Sequence, residues 1–66
     1  MTYEDFKRTI RDYLKATPEG ATWKELKEEL GLPYKTPCQT WINQLEEEIG
    51  LLRKRKKGNA LLWELK

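Results

Sequence analysis

The residues of this chain able to do chemistry are few, and their spacing narrows what they can do. The sequence contains no histidine and a single cysteine, Cys38. It therefore lacks an imidazole base, an internal disulfide and any cluster with the ligand spacing of a structural zinc site. No glycine-rich phosphate loop is present. The acid triplet Glu46, Glu47 and Glu48 lies in a helical stretch, where successive side chains are splayed by about 100°. Three carboxylates so arranged cannot converge on one substrate atom. These features point away from an enzyme, and no cofactor or metal is expected. What remains is binding chemistry, and it concentrates in "LLRKRKKGNALLWEL", where five consecutive cations, Arg53 to Lys57, precede a Gly-Asn pair and an apolar run.

The chain carries a net charge of +2, from 13 bases and 11 acids, and five of those bases are in the one string. The rest of the chain holds eight bases against 11 acids, so its field is polarised. Such a string serves as solvated surface, as protection of a strand edge, as a nuclear address or as a phosphate-neutralising patch. Apolar residues with strand character flank it on both sides, which argues against a free tail. On the first helical segment, Lys7, Arg8, Arg11 and Lys15 fall along one flank. Pairings such as Glu4 with Arg8 make them ordinary helix-surface charges, and Lys24 and Lys27 among Glu25, Glu28 and Glu29 read the same way.

Sixty-six residues make a single domain spanning 1–66. A chain of this size buries only about 60% of the surface its unfolded form exposes, so its net stability is small, on the order of 3 to 10 kcal/mol. The longest apolar run, Ala60 to Trp63, is far too short to span a bilayer. The N-terminus carries acids where a signal peptide needs cations. The expectation is a cytoplasmic protein with no membrane partner, whose lone thiol suits a reducing compartment.

Three segments have helical spacing, each opened by a threonine. Thr2 caps the first, with Tyr3, Phe6, Ile10, Tyr13 and Leu14 on one face, and "TPEG" ends it near Ala16. Thr22 and Glu25 form a capping box for the second, in which Trp23, Leu26 and Leu30 make the buried stripe and Gly31 the left-handed stop. Gly20 and Ala21 suit a very short strand. For the third, Thr36 is the expected cap, Pro37 the first helical residue and Gln39 the closure of a second box. Cys38, Trp41, Ile42, Leu45 and Ile49 then share the inner side, with Cys38 a small buried hydrophobe. Thr36, Thr40, Asn43 and Glu47 lie outside, flanked by Gln39 and Gln44. Gly50 ends this helix, and residues 51–65 form a hairpin whose tip is Gly58 and Asn59. Its apolar face must rest on the helices, since an isolated hairpin is marginal in water. Trp23 and Trp63 read as packing, whereas Trp41 either covers the hairpin or forms a partner surface with Leu51 and Leu62.

The stretch "TWKELKEELGLPYKTPCQTWINQLEEEIGLLRKRKKGNALLWEL", residues 22 to 65, resembles the winged helix-turn-helix superfamily of DNA-binding domains. The resemblance implies an α+β fold in which a three-helix core carries a C-terminal two-stranded β-hairpin wing. It further implies double-stranded DNA as partner and transcriptional regulation as role, with helix 36–49 in the major groove and the basic wing 51–65 on the backbone. Carried onto this chain, Lys35, Thr36, Gln39, Thr40, Asn43 and Gln44 would face bases or phosphates, and Arg53, Lys54, Arg55, Lys56 and Lys57 would contact phosphates. Asn and Gln can pair two-pronged with adenine, and Thr can touch a thymine methyl. Glu47 lies on the same face and would repel phosphates, so the approach is end-on. One copy offers few contacts, which implies a second copy or a larger protein partner. The rival reading keeps the scaffold as a protein-interaction module, docking through Trp41, Leu51 and Leu62 or through the acidic end of the third helix.

Overall fold

A computed structural model describes residues 1–55 and 60–65. The chain runs α1 (Tyr3–Lys15), β1 (Ala21–Thr22), α2 (Trp23–Leu30), α3 (Gln39–Glu48), β2 (Leu51–Arg55) and β3 (Leu61–Leu65). Three helices thus pack with one antiparallel sheet of order β1-β3-β2, an α+β arrangement. The hairpin expected at the C-terminus is present as β2 and β3, and β1 adds a third strand to it. Its Gly58-Asn59 tip lies outside the described residues. No helix among the described residues is long and apolar enough to cross a membrane.

Local signals account for the first two helices. The Thr2 hydroxyl accepts the Asp5 N–H at 3.2 Å. At α2 the capping box is complete: the Thr22 hydroxyl accepts the Glu25 N–H at 3.3 Å, and the Glu25 carboxylate accepts the Thr22 N–H at 2.9 Å. Each bond satisfies a donor that the first turn leaves without an intrahelical partner. Gly31 ends α2 in left-handed geometry at φ 62°.

The core follows from the periodicities. Phe6, Ile10 and Leu14 line the inner face of α1, Leu26 comes from α2, and Ile42 and Leu45 from α3. Ala21, Leu51 and Trp63 come from the sheet and Leu32 from the turn after α2. No polar or charged residue is buried among the described residues. Trp63 sits in the central strand with Ala21 opposite it on one side and Arg53 on the other.

The start of α3 differs from the expectation. Helix geometry begins at Gln39 with Cys38 as the cap residue, and no side chain caps it; Thr36 and Pro37 precede the helix. A long-range bond accompanies this: the Trp23 indole Nε1–H donates to the Lys35 carbonyl at 3.1 Å, which holds the approaching chain against α2, and Cys38 takes up extended geometry in place of a helical turn. The Gln39 side chain, free of the expected box, donates instead to Asn43 Oδ1 at 3.0 Å. Cys38, in extended geometry at the cap, does not follow the helical stripe and is exposed, which corrects its assignment to the core.

Two left-handed glycines differ in what surrounds them. A Cβ at Gly31 would meet nothing within 4 Å. Gly20, at φ 82°, passes so close to the sheet that a Cβ would lie 2.6 Å from the Trp63 carbonyl oxygen. Gly31→Ala therefore carries only the conformational penalty, about 1 kcal/mol. Gly20→Ala adds a clash with backbone that cannot rotate away, for a total of about 3 kcal/mol or more. Urea unfolding of the two variants should show this order, and equal losses would contradict the close approach of β1 to β3.

Candidate nucleic-acid interface

The outer surface of α3 is built by its buried one. Ile42 and Leu45 point into the core, and half-buried Trp41 packs against Tyr3, Phe6 and Tyr34 with ring centroids 5.6, 5.0 and 5.7 Å away. That fixes the helix rotation and leaves Gln39, Thr40, Asn43 and Gln44 exposed together. Lys35 and Thr36 are exposed in the segment leading to them. The first turn of α3 carries no acid.

The acid triplet that follows is largely engaged inside the molecule. Glu46 Oε2 lies 3.9 Å from Arg53 Nε. Glu48 Oε1 accepts from Lys7 Nζ at 2.9 Å and from the Tyr3 hydroxyl at 3.1 Å, tying the end of α3 to α1. Lys7 also lies 3.4 Å from Glu4. The Lys7 hydrogen bond draws the Glu48 carboxyl below the usual glutamate range. The same bond holds the Lys7 ammonium above its ordinary value. Desolvation, then the bond to Glu48, raises the Tyr3 phenol.

The cation string divides along β2. Arg53 is half-buried, its guanidinium 5.9 Å from the Trp63 ring centroid and its Nε enclosed without a hydrogen bond. The 3.9 Å to Glu46 is an ion-pair distance, too long for a hydrogen bond. Lys54 is exposed, with Nζ 2.8 Å from Glu64 Oε1 on β3, a contact across the strands that solvent screens. Arg55 continues β2 in register with Leu61. Lys56 and Lys57 lie outside the described residues. Arg53 thus lies against the Trp63 ring and within ion-pair distance of Glu46.

The base of the ribbon meets the chain leading to α3 at Pro37. A cleft of about 310 Å³ is lined by Trp23, Lys24, Pro37, Arg53, Leu61 and Trp63. Lys24, an ordinary surface charge by its sequence surroundings, stands at the rim of this cleft. Only the tertiary meeting of α2 with the ribbon reveals that position. Three of the four first-helix cations have acidic partners: Lys7 is bound to Glu48, Arg8 lies 3.8 Å from Asp5, and Arg11 lies 3.5 Å from Asp12.

Of the apolar residues Trp41, Leu51 and Leu62, Leu51 is buried, and Trp41 packs against α1 and Tyr34. No group of three or more possible metal ligands occurs among the described residues. No family model, curated protein or solved structure matches the chain.

The Lys7–Glu48 link has a pH signature. Glu48, lowered when folded, contributes stability that is present above the ordinary glutamate range and is lost as pH falls through its lowered pKa. Lys7, raised when folded, contributes below the ordinary lysine range and is lost as pH rises through its raised one. In an NMR titration the Glu48 carboxyl carbon should therefore turn at a pH below the ordinary glutamate range, and Lys7→Gln should move that midpoint upward. A midpoint unmoved by the substitution would show that the α1–α3 link does not form in solution.

Proposed function

We propose that this protein is a winged-helix domain that binds double-stranded DNA and acts in transcriptional regulation. In this reading the first half of α3 enters the major groove and the β2-β3 ribbon lies along the backbone. The observation that carries it is the joint exposure of Gln39, Thr40, Asn43 and Gln44, with no acid in the first turn of α3, where the chain leading to the helix meets the base of the ribbon at Pro37. Amide and hydroxyl side chains supply donors and acceptors to base edges, and the cations supply sequence-independent attraction to phosphates.

The element order supports the same reading, because α2, the intervening turn and α3 are followed directly by a ribbon. The internal pairing of Glu46 and Glu48 removes part of the repulsion that their charges would exert on phosphates. Glu47, exposed on the outer surface, requires that the helix approach with its N-terminal end leading. One such surface makes few contacts, so affinity for a single site is modest and the working complex uses two copies or an attached partner.

The test is fluorescence titration of a labelled duplex across a range of salt concentrations. Five cations on phosphates give a log–log slope near −4.5, and the engagement of Arg53 reduces this to about −3.6. Lys54→Ala should flatten the slope by about 0.9, whereas Arg53→Met should lower thermal stability and leave the slope unchanged. A slope near zero in the unsubstituted protein, or no binding at low salt, would sink the proposal.

A further inference from the structure

We infer that Gln39 and Asn43 act as one reading unit, in which Gln39 recognises the adenine of an A·T pair and Asn43 is the positioning residue that sets the direction of its amide. The inference rests on the DNA-binding reading above and deepens it by naming the base pair and the division of roles.

The two side chains are four positions apart on α3, on the same face of successive turns. Gln39 Nε2 donates to Asn43 Oδ1 at 3.0 Å. A free glutamine amide can present its oxygen and nitrogen in either order; in this bond the nitrogen faces Asn43, which leaves Oε1 facing away from it as an open acceptor. One N–H of Gln39 remains unspent beside that acceptor.

An acceptor and a donor side by side on one rigid amide complement the N6 amino group and N7 of adenine, whose major-groove edge offers a donor next to an acceptor. Guanine, with two acceptors there, cannot satisfy Oε1. Asn43, whose Oδ1 is occupied by Gln39, shows the duplex mainly its Nδ2 donors. The pair spans about 6 Å along the helix axis at 1.5 Å per residue, less than two base-pair steps of about 3.4 Å. Its reach is therefore one or two base pairs. The next residue on this face, one further turn along, is Glu47, exposed and without an ion pair among the described residues. It bars phosphate from closer approach and confines reading to the first two turns. Holding the amide in advance also removes rotamer freedom that binding would otherwise have to freeze.

The experiment is selection of bound duplexes from a randomised pool, followed by titration of the best sequence and its single-base variants. The unsubstituted protein should prefer A·T at one position by about tenfold or more over G·C. Gln39→Leu should abolish that preference. Asn43→Leu, which removes the acceptor, should relax it while leaving the salt slope and melting temperature unchanged. Asn43→Asp keeps an acceptor at the same place and should retain the A·T preference at lower overall affinity, because it adds negative charge. If Asn43→Leu reads the position as sharply as the parent, or if Gln39→Leu keeps the preference, the unit does not exist although DNA binding stands. If no duplex is bound at low salt, the DNA reading fails and the role of the pair fails with it.

Discussion

The arrangement of the site depends on the stack of Trp23 on Trp63. Their ring centroids are 5.4 Å apart at an interplanar angle of 30°, and Trp63 is 1% exposed at the centre of the sheet. Stacking of two large rings buries much apolar area in a domain that has little to bury, so it ties α2 firmly to β3. The same Trp23 indole then uses its polar edge to hold the Lys35 carbonyl. One side chain therefore sets both where the sheet lies against the helices and where the chain stands as α3 begins. From Trp23 the aromatic contacts continue to Phe6 at 6.3 Å and from Phe6 to Trp41 at 5.0 Å. The rotation of α3 is thereby linked to the position of the ribbon through packed rings as well as through its direct contact with β2.

This also explains which parts of the structure were legible in the sequence. Thr2, the Thr22–Glu25 box and Gly31 act within a few residues of themselves, and the helices they bound formed as their spacing implies. The alternation in residues 61–65 likewise put Trp63 inside. Thr36, Pro37 and Gln39 offered an equally good local start for α3, yet the helix begins at Gln39, after a segment held by a bond between Trp23 and Lys35. That contact joins residues 12 apart, and no short-range pattern records it. The placement of Cys38 failed along with that start, since its burial was inferred from a helix starting at Pro37 and the helix begins two residues later, at Gln39. The pairing of β1 with β3 joins Ala21 to Trp63, and the length of β1 gives it almost no signal of its own.

For the candidate site, residue types were legible and their engagement was not. The exposed face of α3 could be read from the 3.6-residue period, because Ile42 and Leu45 define its opposite. Arg53 looked like its neighbours in the cation string. Strand alternation assigns it to the same side as Leu51, and the register places it opposite Trp63. Once there, a guanidinium gains from the aromatic face and from Glu46, and both draw it toward the helices and away from solvent. A run of like charges in a strand is thus divided by the pleat, with Arg53 turned to the structure and Lys54 to water.

The three carboxylates of α3 show how one short charged segment meets opposing demands. A helix that presents its N-terminal half outward must be held at its other end, and a small domain has few apolar residues left for the purpose. Glu48 anchors that end to α1 through Lys7 and Tyr3, and Glu46 anchors it to β2 through Arg53. Charges that would weaken an anionic partner's approach if free are instead spent on fastening the helix. Exposed ion pairs contribute little individually, and these two lie on different sides of the last turn of α3, one toward α1 and one toward β2. Glu47, between them on the outer face, has no ion pair among the described residues. On the DNA reading its repulsion and the uncharged amides of Gln39 and Asn43 act to the same end, admitting the partner at the start of α3 and turning it away from the end.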